Sequence, residues 1–341
     1  MKFRNLKTVA ALAALLFGAV SGSAFAQQIE LKVGDWQSLQ HIQSTAGTQW
    51  FMKEVEKRTN GKVKFVHFPA EQAAKARGLL DAAASGVVDI ALTGSLYSPD
   101  RLPLNSVIGL PGLGNSAVAA TKPLNDMVRN GLLRDEFISA GVVPLYAYAL
   151  TPYQILLREK AVANVSDWDG LKIRTGGSTQ ALTARSMGAT GISLPGPEVY
   201  TAVERGTVDG VLFPIPSVAP YNLQEVVKFI STNGSFGNFG CNLVINQATF
   251  DALPADVKEV MLEVGTEAAL NVAKAQDDLS AGLLKEWAAQ GITLIEFTPE
   301  QLKAYEDTLA PVSDEWVERI GKNNPNAKAV YEAFLKGVAA Q

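Results

Sequence analysis

The chain has 341 residues, 47% hydrophobic and 19% charged, with 30 Lys and Arg against 34 Asp and Glu. That length can fill one large core or two ordinary ones, and the acidic balance argues against a nucleic-acid partner, which needs a basic footprint. A single cysteine, Cys241, rules out an intrachain disulfide, and two histidines without metal-ligand spacing point to no metal site.

Lys2, Arg4 and Lys7 precede the apolar run TVAALAALLFGAV, and Ala24 and Ala26 follow at the spacing of a signal-peptidase site. Residues 1–26 therefore read as a cleaved secretion signal. The run is too short, and too interrupted by Gly18, Ser21 and Gly22, to serve as a membrane anchor. A mature chain starting near Gln27 carries 27 Lys and Arg against 34 Asp and Glu, a net charge of −7. No later stretch approaches 18 apolar residues, so the mature protein is expected to be soluble and periplasmic rather than membrane-embedded.

Ile29, Leu31 and Val33 alternate and predict a strand. Residues 44–59 read as a helix with Trp50, Phe51 and Val55 inward and Asn60-Gly61 as its stop. KVKFVHF predicts a second strand, residues 72–85 an alanine-rich helix, VVDIAL a strand covered on both faces, and VVPLYAYAL another strand. This alternation predicts an α/β unit with a mostly parallel sheet.

The alternation starts afresh at residue 170. LKIRT is a strand, Ser178 is placed to cap a helix running to Met187, GISL is a short strand, Pro197 opens a further helix, and VDGVLF is the next strand. Pro254–Gln290 carries the longest helical signal, with Val257, Val260, Met261 and Val264 on one face and Gly265 and Gly282 as possible bends. At 1.5 Å per residue such a helix reaches about 55 Å, enough to bridge two domains. Residues 299–308, 312–321 and 326–338 read as helices. Two α/β units imply two lobes around a cleft, with ligands at the carboxyl ends of strands.

Enzyme signals are poor. GLPGLG at 109–114 lacks the strand and helix context of a dinucleotide site, and neither G-x-S-x-G nor a P-loop occurs. His67 lies within a strand and reads as structural; His41 follows the first strand and is a candidate for the cleft. Cys241 reads as a small buried hydrophobe. Arg174 stands apart. It ends an apolar strand and is followed by Gly176-Gly177, whose N–H groups, with the next helix start, could face an anion. Its guanidinium is a permanently charged fork suited to a carboxylate.

The segment Asp167–Pro214 contains DWDGLKIR, GATGISLPGPEVYTA and GTVDG. It resembles the solute-binding proteins of tripartite ATP-independent periplasmic (TRAP) transporters, whose pattern is D-x-x-G-L-K-I-R, then L-P-x-x-E-V-Y-x-A, then G-x-V-D-G. AAASGVVDIAL and VINQATFDALPADVKEVM extend the similarity. The resemblance implies a two-lobed α/β periplasmic-binding-protein fold of type II kind, each lobe a mixed, mostly parallel sheet flanked by helices, with one long helix spanning both. Lobe I is expected over residues 27–150 plus about 239–278, and lobe II over 151–238 plus about 279–341. It also implies an organic acid gripped by Arg174, lobes that close over it, and delivery to membrane permease subunits driven by an ion gradient, without catalysis or cofactor.

Three positions depart from the sugar-acid and dicarboxylate members: Gln154 stands where a second arginine is common, Phe213 where an asparagine is, and Gly94 where a glutamate is. Arg158 is a candidate substitute cation. Aromatic residues Trp36, Tyr97, Tyr153, Phe213, Phe236 and Phe239 fall in the expected cleft loops. The expected ligand site is therefore Arg174, Gln154, Phe213, Trp36, Gly94, Tyr97, Phe239 and Gly176, taking a monocarboxylate with an apolar or aromatic body. A binding protein for another permease or a sensor kinase, or a periplasmic enzyme acting on an organic acid, are the alternatives.

Overall fold

The computed structural model describes residues 28–341; the expected signal segment lies outside them. Among the described residues eleven strands build two sheets. The first contains β1 (Ile29–Gly34), β2 (Val63–Phe68), β3 (Ile90–Gly94), β4 (Val142–Ala149) and β10 (Gly240–Asn246), in the order β2-β1-β3-β10-β4. The second contains β5 (Gln154–Leu157), β6 (Lys172–Thr175), β7 (Thr190–Ser193), β8 (Gly210–Phe213), β9 (Phe229–Ser231) and β11 (Thr293–Ile295), in the order β11-β9-β5-β8-β6-β7. Both sheets are mixed: β10 runs antiparallel to β3 and β4, and β5 antiparallel to β8 and β9, while the remaining pairs are parallel.

β3, β4, β5 and β8 are buried along their whole length, which is why they read as apolar runs rather than alternations. The chain leaves the first lobe after β4, builds the second, and returns through residues 236–240 to insert β10 between β3 and β4. A third crossing is the helix Ala255–Ala289, 35 residues long. It packs on β4 in the first lobe and reaches β11 in the second. Gly265 does not break it. A Cβ there would stand 2.5 Å from the Leu145 carbonyl, so glycine lets the helix lie directly on β4.

Several elements differ from expectation. The alanine-rich segment forms only a short turn and the helix Leu79–Ala84, and Ser178 is the first helical residue, with Gly177 in the capping position. The helix Ala117–Asn130 carries the interior Pro123, a breaker that hid it from pattern reading. The last helix, Ala327–Ala339, packs with Gly337 against Pro123. This places it on the first lobe's helix rather than with the second lobe. Trp316 likewise donates to the Ser106 hydroxyl of the first lobe at 2.8 Å. The C-terminal helices thus brace both lobes. Among the described residues no helix is long and apolar enough to cross a membrane.

Candidate functional site

Arg174 sits inside the second sheet, opposite Val211 of β8 and Ile192 of β7, and is 1% exposed. Its Nε and Nη2 donate to the Leu194 carbonyl at 2.8 and 2.5 Å, and Nη1 donates to the Leu212 carbonyl at 3.2 Å. The guanidinium carbon lies 5.2 Å from the centre of the Phe213 ring, a cation–π contact. Those bonds use three of the five guanidinium N–H groups and leave one on each Nη, the fork that fits a carboxylate. No ion pair among the described residues includes Arg174. A charge removed from water and balanced only by carbonyl dipoles and a ring face is costly, so an anion here gains more than it would in solvent.

Arg174 lines a cavity between the lobes, and among the described residues it is the only charged one to do so. The cavity volume is about 20 Å³, room for about one water molecule and far below the roughly 300–1,000 Å³ of ligand pockets, so the walls are drawn together. Trp36 and Tyr97 come from the first lobe, Phe239 from the returning segment, and Tyr153, Phe213 and Tyr221 from the second lobe. Tyr97 meets Trp36 edge-on at 5.6 Å and Phe239 at 4.8 Å, and Phe213 meets Tyr221 edge-on at 5.7 Å. Burial pushes the phenols of Tyr97, Tyr153 and Tyr221 upward, with the Arg174 charge opposing in each case. These tyrosines are therefore neutral and add no second charge.

The polar part of the wall is bonded to itself across the lobes. Gln37 Nε2 donates to Gln43 Oε1 at 2.8 Å, Gln43 Nε2 to the Ser217 hydroxyl at 3.0 Å, and the Tyr221 hydroxyl to Gln37 Oε1 at 2.9 Å. Cys241 also lines the cavity, its Sγ 3.7 Å from Gln43 Oε1; burial pushes its thiol strongly up, so it is no nucleophile. His41 stands behind this network: its Nδ1 accepts the Gln43 backbone N–H at 3.1 Å, and its ring meets Tyr221 edge-on at 5.6 Å.

Burial lowers the pKa of His41 to about 3. In the unfolded chain it takes a proton near pH 6.5, so below that value the unfolded state binds more protons and stability falls as pH falls. The loss approaches about 1.4 kcal/mol per pH unit and is regained in full above 6.5. Chemical denaturation between pH 7 and 4.5 checks this: His41→Asn, which keeps an acceptor for Gln43, should flatten the slope.

Among the residues picked from sequence, Arg174, Trp36, Tyr97, Tyr153, Phe213 and Phe239 converge on the cavity. Gly94 and Gly176 lie behind the wall. A Cβ on Gly94 would stand 2.5 Å from Phe239, and one on Gly176 would stand 3.0 Å from the same ring. The Gly176 N–H is taken by Gln180 Oε1 at 2.6 Å, so these glycines make room for Phe239 rather than offering amides to an anion. Gln154 is placed elsewhere. Its Oε1 accepts from the Ser231 hydroxyl and the Gly234 N–H, its Nε2 donates to the Gly234 carbonyl, and it borders a separate groove. Arg158 is partly exposed beside Glu159 and Gly206, so it is not a second cation of the cavity. Phe236 packs into the Trp168–Tyr305 cluster. Gln37, Gln43, Ser217, Tyr221 and Gly196 were missed: each is an ordinary loop or turn residue until the lobes meet.

Two α/β lobes joined by several chain crossings, with a small cavity between them, define a receptor that encloses a small solute. The model for the bacterial extracellular solute-binding protein, family 7 (DctP), matches residues 34–319, and the chain belongs to this family, the solute-binding proteins of TRAP transporters. It is a transport protein and not an enzyme, and the family acts in the periplasm with TRAP permeases. The 2,3-diketo-L-gulonate-binding periplasmic protein YiaO of Escherichia coli K12 is 28% identical over 340 residues, covering 97% of this chain and 99% of its own. The TRAP solute-binding protein of Rhodoferax ferrireducens T118, solved with copurified benzoate, superposes with a TM-score of 0.86 at 22% identity, covering 92% of this chain and 98% of its own. The TRAP periplasmic solute-binding protein of Bordetella bronchiseptica, solved with (R)- and (S)-mandelate, gives a TM-score of 0.83 at 25% identity, covering 92% of this chain and 99% of its own.

Proposed function

We propose that this protein captures a small monocarboxylate with an apolar or aromatic body between its lobes and hands it to a TRAP permease driven by an ion gradient. One observation carries this reading: among the described residues the cavity wall holds a single charged group, Arg174, buried without an acidic partner and surrounded by aromatic rings. Arg174 holds the carboxylate, and Trp36, Tyr97, Phe213 and Phe239 enclose the body. Micromolar affinity needs about 8 kcal/mol. Charge-assisted hydrogen bonds contribute roughly 1.5–3 kcal/mol each; apolar burial at about 25 cal/mol per Å² supplies the rest.

A second carboxylate would find no second cation in the wall and would be buried unpaired, at several kcal/mol. The mandelate-bound relative supports an aromatic acid, and family membership supports the permease as partner. A thermal-shift panel tests the ligand class. Benzoate and mandelate should raise the melting temperature while succinate, malate and sugar acids leave it unchanged. Stabilisation by the latter group alone would overturn the reading.

A further inference from the structure

One short loop, Ser193–Gly196, touches both the ligand cation and the opposite lobe. The Leu194 carbonyl accepts from Arg174 Nε and Nη2. One residue away, Ser193 Oγ accepts from Nη2 of Arg77 in the first lobe at 3.0 Å. Two residues further on, the Gly196 N–H donates to the Tyr97 hydroxyl, also of the first lobe, at 3.0 Å in a buried position. Arg77 and Tyr97 are themselves joined: the guanidinium lies 5.4 Å above the Tyr97 ring and reaches the Tyr97 carbonyl at 3.5 Å. The same ring forms part of the aromatic wall against Trp36 and Phe239.

We infer that Arg77, Tyr97 and the Ser193–Gly196 loop form a latch that couples occupancy of Arg174 to the joining of the lobes. This rests on the proposed role of Arg174 as the carboxylate clamp. A carboxylate on the free fork fixes the guanidinium, and the guanidinium fixes the Leu194 carbonyl. The loop is then held where its Ser193 hydroxyl and Gly196 N–H meet the first lobe. Tyr97 is a positioning residue in this scheme: its ring serves the wall and its hydroxyl serves the latch. Gly196 completes the geometry. A Cβ there would stand 2.9 Å from the Tyr221 hydroxyl, so a side chain would push Tyr221 off Gln37 and open a second interlobe hydrogen bond.

Tyr97→Phe removes the hydroxyl and keeps the ring; Ser193→Ala removes the other contact at an exposed position. Stopped-flow dissociation of benzoate should quicken about threefold to tenfold in each, and more in the double variant, the range expected for losing one hydrogen bond. Spin labels on cysteines replacing Lys53 and Glu204, one per lobe, report lobe separation with and without benzoate. The short-distance population should shrink in the variants while melting temperatures without ligand stay near that of the wild type. If the wild type does not bind benzoate, the proposed ligand class fails, and the latch is judged on the ligand-free distances alone. Equal distance distributions in wild type and variants under both conditions overturn the latch.

Discussion

Replacing Arg174 by alanine is expected to weaken binding of benzoate or mandelate by a factor of about 100 or more, measured by calorimetry on the purified protein. Truncating one partner of a buried charge pair costs about 3–5 kcal/mol, and each 1.4 kcal/mol is a factor of ten. Arg174→Lys separates charge from shape. Lysine keeps the charge, yet it cannot hold Leu194 and Leu212 while offering two parallel N–H groups to a carboxylate. It should therefore recover only part of the affinity. Unliganded Arg174→Ala should remain folded, because the deleted group is a buried charge balanced only by carbonyl dipoles and one ring face. Near-normal affinity in the alanine variant would place the clamp elsewhere.

Gly177→Ser should lower affinity by tenfold or more through the lobes rather than through the ligand. Gly177 adopts extended angles of −179° and −174°, which any residue accepts, and it caps the helix Ser178–Ser186, where serine is a favoured residue. By local rules the substitution is therefore neutral or stabilising. The tertiary structure says otherwise. A Cβ at Gly177 would lie 2.7 Å from Leu96 Cβ and 2.8 Å from the Leu96 carbonyl of the first lobe, and backbone cannot give way as a side-chain tip can. The lobes would be held apart by that contact. Small-angle scattering of benzoate-saturated protein should show a larger radius of gyration than wild type, with the unliganded melting temperature unchanged or raised. Full affinity and a wild-type radius would show that Leu96 yields.

These two residues show how far the sequence reading reached. Arg174 was legible because a permanent charge at the end of an apolar strand contradicts the pattern around it. The glycines beside it were legible as a demand for space, but not as to whose space it was. By local pattern their amides suit an anion; in the structure Gln180 takes the Gly176 N–H, Phe239 fills the room above it, and Leu96 abuts Gly177. Gln154 was singled out by its alignment with a family arginine. Its amide instead ties β5 to Ser231 and Gly234 of its own lobe, a use that no spacing in the sequence announces.

Residue order and apolar periodicity alone were enough to determine two α/β units, a helix long enough to join them, and a cation at the end of an apolar strand. Those features follow from local preferences and from which face of each element must leave water. The partners that complete the cavity were decided only by the tertiary structure. Gln43 meets Ser217 across 174 residues, and Gln37 meets Tyr221 across 184. Their side chains are neutral and individually unremarked, and become a wall only because the chain crossings set one lobe against the other. Periodicity reports which side of an element is buried; it carries no information about the side chain that arrives opposite from another lobe.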